Sequence, residues 1–200
     1  MYSKSSVKNS YYDLKEVFRE IKEQNYKNYT LSNAVGNVPM VKLSRSASIF
    51  SRHDALMKLE SCNPSGSIKD KNASYLVENA EAMGLLAPGG TIIESSSGNF
   101  GIALAAVGAS KGYRVIIVID AKTAPTMKKI LLAYGAELEE VCLSLADENG
   151  SMQKARMAHA KRLAERIPGS FYPCQHLNPI NPVAHYIYTG REIIEGLKNN

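Results

Sequence analysis

Residues 115–119, Val-Ile-Ile-Val-Ile, form an unbroken β-branched run. A strand of this kind has no polar face, so both of its sides must be covered. That places it inside a parallel sheet with helices above and below. The surrounding sequence agrees. Apolar spacing predicts strands over 39–43, 55–59, 91–94, 114–119 and 137–141. It predicts helices over 67–83, 99–110, 126–134, 152–167 and 184–197, the last reached through Asn181-Pro182. Gly84, Pro88-Gly89-Gly90 and Gly135 punctuate them. A further helix is predicted over 13–24, where Leu14, Val17, Phe18 and Ile21 share one face. From residue 67 onward strand and helix alternate, which implies βαβ crossovers and a parallel sheet. The fold class is α/β, in three layers.

Composition excludes several functions. Net charge is +5, from 24 Lys+Arg against 19 Asp+Glu, but basic residues run no longer than pairs such as Lys128-Lys129. With no basic stripe interleaved with aromatics, nucleic acid is a poor partner. Cys62, Cys142 and Cys174 form no CxxC pair, and the four histidines lack metal-ligand spacing. Neither a disulfide framework nor a metal site is expected, and a reducing cytoplasm fits. Residues 1–10 are polar, without the apolar core of a signal peptide. No apolar stretch is long enough to span a bilayer, so no membrane partner is expected.

Three segments carry candidate chemistry. Asn63-Pro64-Ser65-Gly66-Ser67-Ile68-Lys69-Asp70 is a turn-rich loop running into a helix. Lys69 sits in the first helical turn, where the dipole favours anions and a lysine is misplaced. A partly buried lysine in a positive neighbourhood favours the neutral amine, the form that makes a Schiff base. Glu94-Ser95-Ser96-Ser97-Gly98-Asn99-Phe100-Gly101 joins a strand to a helix. Its free amides and hydroxyls suit an anion. It does not match GxGxxG, which disfavours a dinucleotide fold. Residues 173–182 hold two Asn-Pro pairs that stiffen the backbone, and Gln175 or His176 can face a ligand from there. Each segment also has a plain structural use: a solvated lysine, serine helix caps, and a loop before a helix.

The order and spacing of these segments resemble the cysteine synthase and cystathionine β-synthase group. These are fold type II pyridoxal-phosphate (PLP) enzymes, related to the tryptophan synthase β chain. Gly36-Asn37-Val38-Pro39-Met40-Val41 is similar to the group's Gly-x-Thr-Pro-Leu-Val opening strand. Residues 63–70 resemble its Asn-Pro-x-x-Ser-x-Lys loop, and residues 91–101 its Ser-Gly-Asn-Thr-Gly segment. The resemblance implies that Lys69 carries PLP and that Asn99 hydrogen-bonds the PLP 3′-oxygen. It implies that Ser96, Ser97, Gly98, Phe100 (through its backbone) and Gln175 hold the carboxylate of a small amino-acid substrate. Phe100 stands where the group has Thr, which removes a hydroxyl, and Asp120-Ala121-Lys122 stands where it has Met-Pro. With the 175–186 loop, this is similar to the branch that makes 2,3-diaminopropionate precursors for siderophores from phosphoserine.

The implied activity is β-replacement on O-acetyl- or O-phospho-L-serine through an aminoacrylate, in a homodimer. The implied division is a segment of the larger domain over 1–62, a smaller substrate-loop domain over 63–173, and a return over 174–200 into an incomplete larger domain. The group's PLP-phosphate loop and pyridine-facing Ser or Thr would lie beyond residue 197. One alternative is therefore a split chain, inactive until a complementing C-terminal chain joins it. Another is a PLP-dependent serine or threonine dehydratase.

Overall fold

The computed structural model describes residues 31–43 and 55–198, so the helix predicted over 13–24 lies outside the described residues. Strands β1 (Met40–Lys42) and β2 (Leu56–Lys58) pair antiparallel. Helix α1 (Lys69–Ala82) follows. Then come β3 (Thr91–Ser95), α2 (Asn99–Lys111), β4 (Arg114–Asp120), α3 (Pro125–Ala133), β5 (Glu137–Val141), α4 (Gln153–Arg166) and β6 (Ser170–Phe171). Helices α5 (Ile180–His185) and α6 (Arg191–Lys198) end the described chain.

β3 to β6 form one parallel sheet in the order β5-β4-β3-β6. Its side chains alternate as the period of two requires. Ile92, Val115, Ile117 and Ile119 pack against the apolar faces of α1, α2 and α3. Ile93, Ile116, Val118 and Val141 pack under α4. Residues 115–119 are all buried, and each such side chain stabilises by about 1.5–3 kcal/mol. Two glycines fit α2 to β4. A Cβ on Gly108 would lie 2.2 Å from Val115 Cγ2, so the helix approaches the strand as closely as it does because nothing stands there. Gly112 ends the helix in the left-handed region at φ +76, open to glycine at little cost.

Most boundaries fall within two residues of those the sequence predicts. The exceptions are local. β6 is only two residues long, too short for a periodic signal. The last helical stretch begins at Ile180, before Pro182, whose missing N–H costs nothing in a first turn. It also passes through a wide π turn at Tyr186–Gly190 before α6. Among the described residues, no helix is long and apolar enough to cross a membrane.

Candidate active site

The chain order reverses at β3: β4 and β5 are laid down on one side, and β6 returns to the other. In open parallel sheets, ligands bind at such a switch, beyond the carboxyl ends of the strands. The segments that follow β3 and β6 meet there. Lys69, Ser95, Ser96, Ser97, Gly98, Asn99, Phe100 and Gln175 line one cavity of about 340 Å³, with Gln153, Arg156 and His176. The tertiary structure thus gathers every sequence-predicted site residue, although Lys69 and Gln175 are 106 positions apart.

Lys69 opens α1 and is half-buried. The turn before it is clasped by the next residue. Asp70, fully buried, accepts Ser65 N–H at 2.9 Å, Ser65 Oγ–H at 2.7 Å and Ser67 N–H at 3.3 Å. Ser67 Oγ in return accepts Lys69 N–H at 3.2 Å. Asp70 therefore fixes the loop as well as complementing the helix dipole. His185 is close enough to feel Lys69. Burial holds its imidazole below the ordinary range, and the charges of Lys69 and Lys71 add to that.

In the loop after β3, Ser96 and Ser97 play different parts. Ser96 Oγ accepts Gly101 N–H at 2.9 Å and so caps the third amide of α2. The amides of Asn99 and Phe100 have no partner among the described residues, as is usual at a helix start. The Phe100 side chain is buried among apolar neighbours, so only its backbone serves the cavity. Ser97 remains half-buried beside Gly98, and Asn99 is exposed.

Gln175 is held by its backbone. Its N–H donates to Glu94 Oε2 at 3.1 Å, and its carbonyl accepts Asn181 Nδ2 at 3.0 Å. Asn181 Oδ1 accepts from Asn72 Nδ2, one turn along α1 from Lys69. Asn178, in the first Asn-Pro pair, ties Pro173 O to the start of α5.

Sequence reasoning missed two acidic residues and an arginine. Asp120, buried at the end of β4, pairs with Arg156 of α4. Arg156 Nε is buried without a partner, beside a second cavity of about 440 Å³ that reaches Lys122. An Asp ending an apolar strand was the available signal. Glu94 is fully buried at the end of β3. Burial pushes its carboxyl up to about 7, against the pull of the Ser95, Gln175 and Cys174 amides. The native state thus holds this proton more tightly than the unfolded chain, where the value is near 4.5. The resulting stability is complete below about pH 4.5 and lost as pH rises through about 7. Urea unfolding from about pH 5 to about pH 8 should show the wild type losing up to about 3 kcal/mol relative to Glu94→Gln.

An amine, unpaired helix-start amides and a polar loop around one cavity fit the aldehyde and ring-oxygen end of PLP. A larger cavity of about 590 Å³, on the exposed side of α6, is lined by Tyr186, Ile187 and Ile194 and lacks such a set.

Comparison with known proteins agrees. The pyridoxal-phosphate dependent enzyme family matches residues 31–200. A solved O-ureido-L-serine synthase is 38% identical over 83% of this chain and 50% of its own, with a TM-score of 0.73. An O-ureido-L-serine-bound lysine-to-alanine mutant of that synthase gives 38% identity, 83% and 49% coverage, and a TM-score of 0.71. The O-acetylserine dependent cystathionine β-synthase from Helicobacter pylori is 33% identical over 84% of this chain and 53% of its own, with a TM-score of 0.72. The chain spans about half the length of these structures. On the family match and the shared fold, this chain belongs to the pyridoxal-phosphate dependent enzymes.

Proposed function

We propose that the protein performs β-replacement on an O-substituted L-serine. The observation that carries this reading is the meeting of Lys69, the 96–100 loop and Gln175 around one cavity at the switch point. The names of the solved relatives support it, since each contains an O-substituted serine. Lys69 would hold PLP through its Nζ, and Asn99 would hydrogen-bond it from the same cavity. Bound PLP supplies the electron sink that makes Cα–H acidic. Ser97, the Asn99 and Phe100 amides and Gln175 bind the substrate carboxylate, with Ser96 shaping the loop. With its carboxylate held there, the substrate would present Cα–H to Lys69 Nζ, which would take the proton. The β-substituent leaves on the cavity side that Arg156 and Lys122 border. Arg156, paired with Asp120, and Lys122 set positive charge beside an anionic leaving group, phosphate or acetate alike.

Residues 63–173 form the substrate-loop domain in this reading. Exposed Ile193, Ile194 and Leu197 on α6 support cover by further polypeptide, from this chain or a complementing one. The test is to add PLP, read the visible absorbance, reduce with borohydride and map the adduct by peptide mass. Label confined to Lys69 is expected. Label scattered over surface lysines would overturn the assignment. Product analysis with O-phospho-L-serine or O-acetyl-L-serine, each with excess sulfide or an amine as nucleophile, then separates replacement from elimination, because a keto acid alone with the nucleophile present would mean a dehydratase.

A further inference from the structure

The Gln175 loop is fastened to the sheet by a residue that does not itself need to meet a ligand. Glu94 Oε1 accepts Ser95 N–H at 2.7 Å, and Oε2 accepts Gln175 N–H at 3.1 Å. The Cys174 amide lies near enough to this carboxylate to favour its ionised form. Cys174 has φ +49, a left-handed conformation that a cysteine keeps only where its surroundings enforce it. A buried carboxylate that titrates near 7 costs stability once ionised, and a neutral amide of the same shape would avoid that cost. Stability of the fold therefore does not explain the charge. Among the described residues, Tyr172, on the segment after β6, is the titratable side chain that feels the Glu94 charge. β4 sets the apolar Ile117 opposite Glu94, and Lys69 and Arg156 border the cavity nearby.

We propose that Glu94 is a positioning residue: its carboxylate draws the Cys174 and Gln175 amides onto the end of β3, and this sets Gln175 to meet the substrate carboxylate. The inference rests on the β-replacement reading for the role of Gln175. The clamp itself can be tested without that reading.

The experiment compares the full chain, with PLP added, to its Glu94→Gln variant. A glutamine offers one acceptor oxygen and turns N–H donors toward the amides it should accept from. Hydrogen exchange at the Cys174 and Gln175 amides is expected to speed up about tenfold. The Kd for O-acetyl-L-serine, read from the visible absorbance, should rise about tenfold. Borohydride labelling of Lys69 should not change, and the urea midpoint above pH 7 should hold or rise. A purely structural residue would not weaken ligand binding while leaving global stability intact. Unchanged exchange and unchanged Kd in the variant would overturn the proposal. So would a uniform loss of protection across β3 and β4. In the wild type alone, rapid exchange at these two amides would overturn it without any variant. A wild type that fails to bind O-acetyl-L-serine, while the two amides still depend on Glu94, would overturn the substrate role and uphold the clamp.

Discussion

Lys69→Ala is expected to abolish covalent PLP attachment and to lower turnover about 10²–10⁴-fold, the range for losing a positioned proton-transfer group. The protein should remain folded. Lys69 Nζ makes no hydrogen bond or ion pair among the described residues, and Ser67 Oγ holds its backbone N–H. Truncating it therefore removes chemistry without removing a contact. The Asp70 clasp on Ser65 and Ser67 persists, so the loop keeps its shape. Stability should change by no more than about 0.5 kcal/mol, as for other substitutions away from buried features. The check is peptide mapping after borohydride reduction, with a urea melt of the same sample. A variant that still carries PLP on residue 69's peptide, or turns over at the wild-type rate, removes Lys69 from its assigned role.

Glu192→Ala is expected to do the reverse, costing about 3–5 kcal/mol with no direct effect on the cavity. Lys71, two residues after Lys69, is fully buried. Its Nζ donates to Glu60 Oε1 at 2.9 Å and to Glu192 Oε2 at 2.8 Å. Lys58 also pairs with Glu192, and Asn37 N–H donates to Glu192 Oε1 at 3.1 Å. One carboxylate on α6 thus ties together β2, α1 and the turn before β1. Burial pushes the Glu192 carboxyl up, but the hydrogen bonds and charges of Lys58 and Lys71 outweigh it and hold it below its usual range. Removing it leaves Lys71 in the interior with Glu60 alone. A urea melt measures the loss. A shift under about 1 kcal/mol would show that the network is solvated and weak, as exposed pairs are.

The contrast between Lys69 and Lys71 shows where the sequence stops being legible. Both lie in the first turn of one helix, and periodicity marks neither as apolar. The loop motif singles out Lys69, because a turn-rich segment delivers it to a helix start. Nothing local marks Lys71, whose burial depends on Glu60 and on a glutamate 121 positions away. Ser96 shows the same limit. Its position in the loop was readable, but only the structure shows its hydroxyl committed to the Gly101 amide.

By itself the sequence determined the elements of the sheet and its parallel character, because a β-branched run covered on both faces admits few other arrangements. It also determined which loops carry chemistry, since turn residues, helix starts and a misplaced lysine are local features. Tertiary structure alone decided the strand order, the two-residue β6 and the cavity that joins Lys69 to Gln175. It alone decided the buried partners Glu94, Asp120 with Arg156, and Lys71 with Glu192. These depend on contacts between distant segments, and a charged side chain's burial is set by whichever opposite charge or amide the fold brings to it.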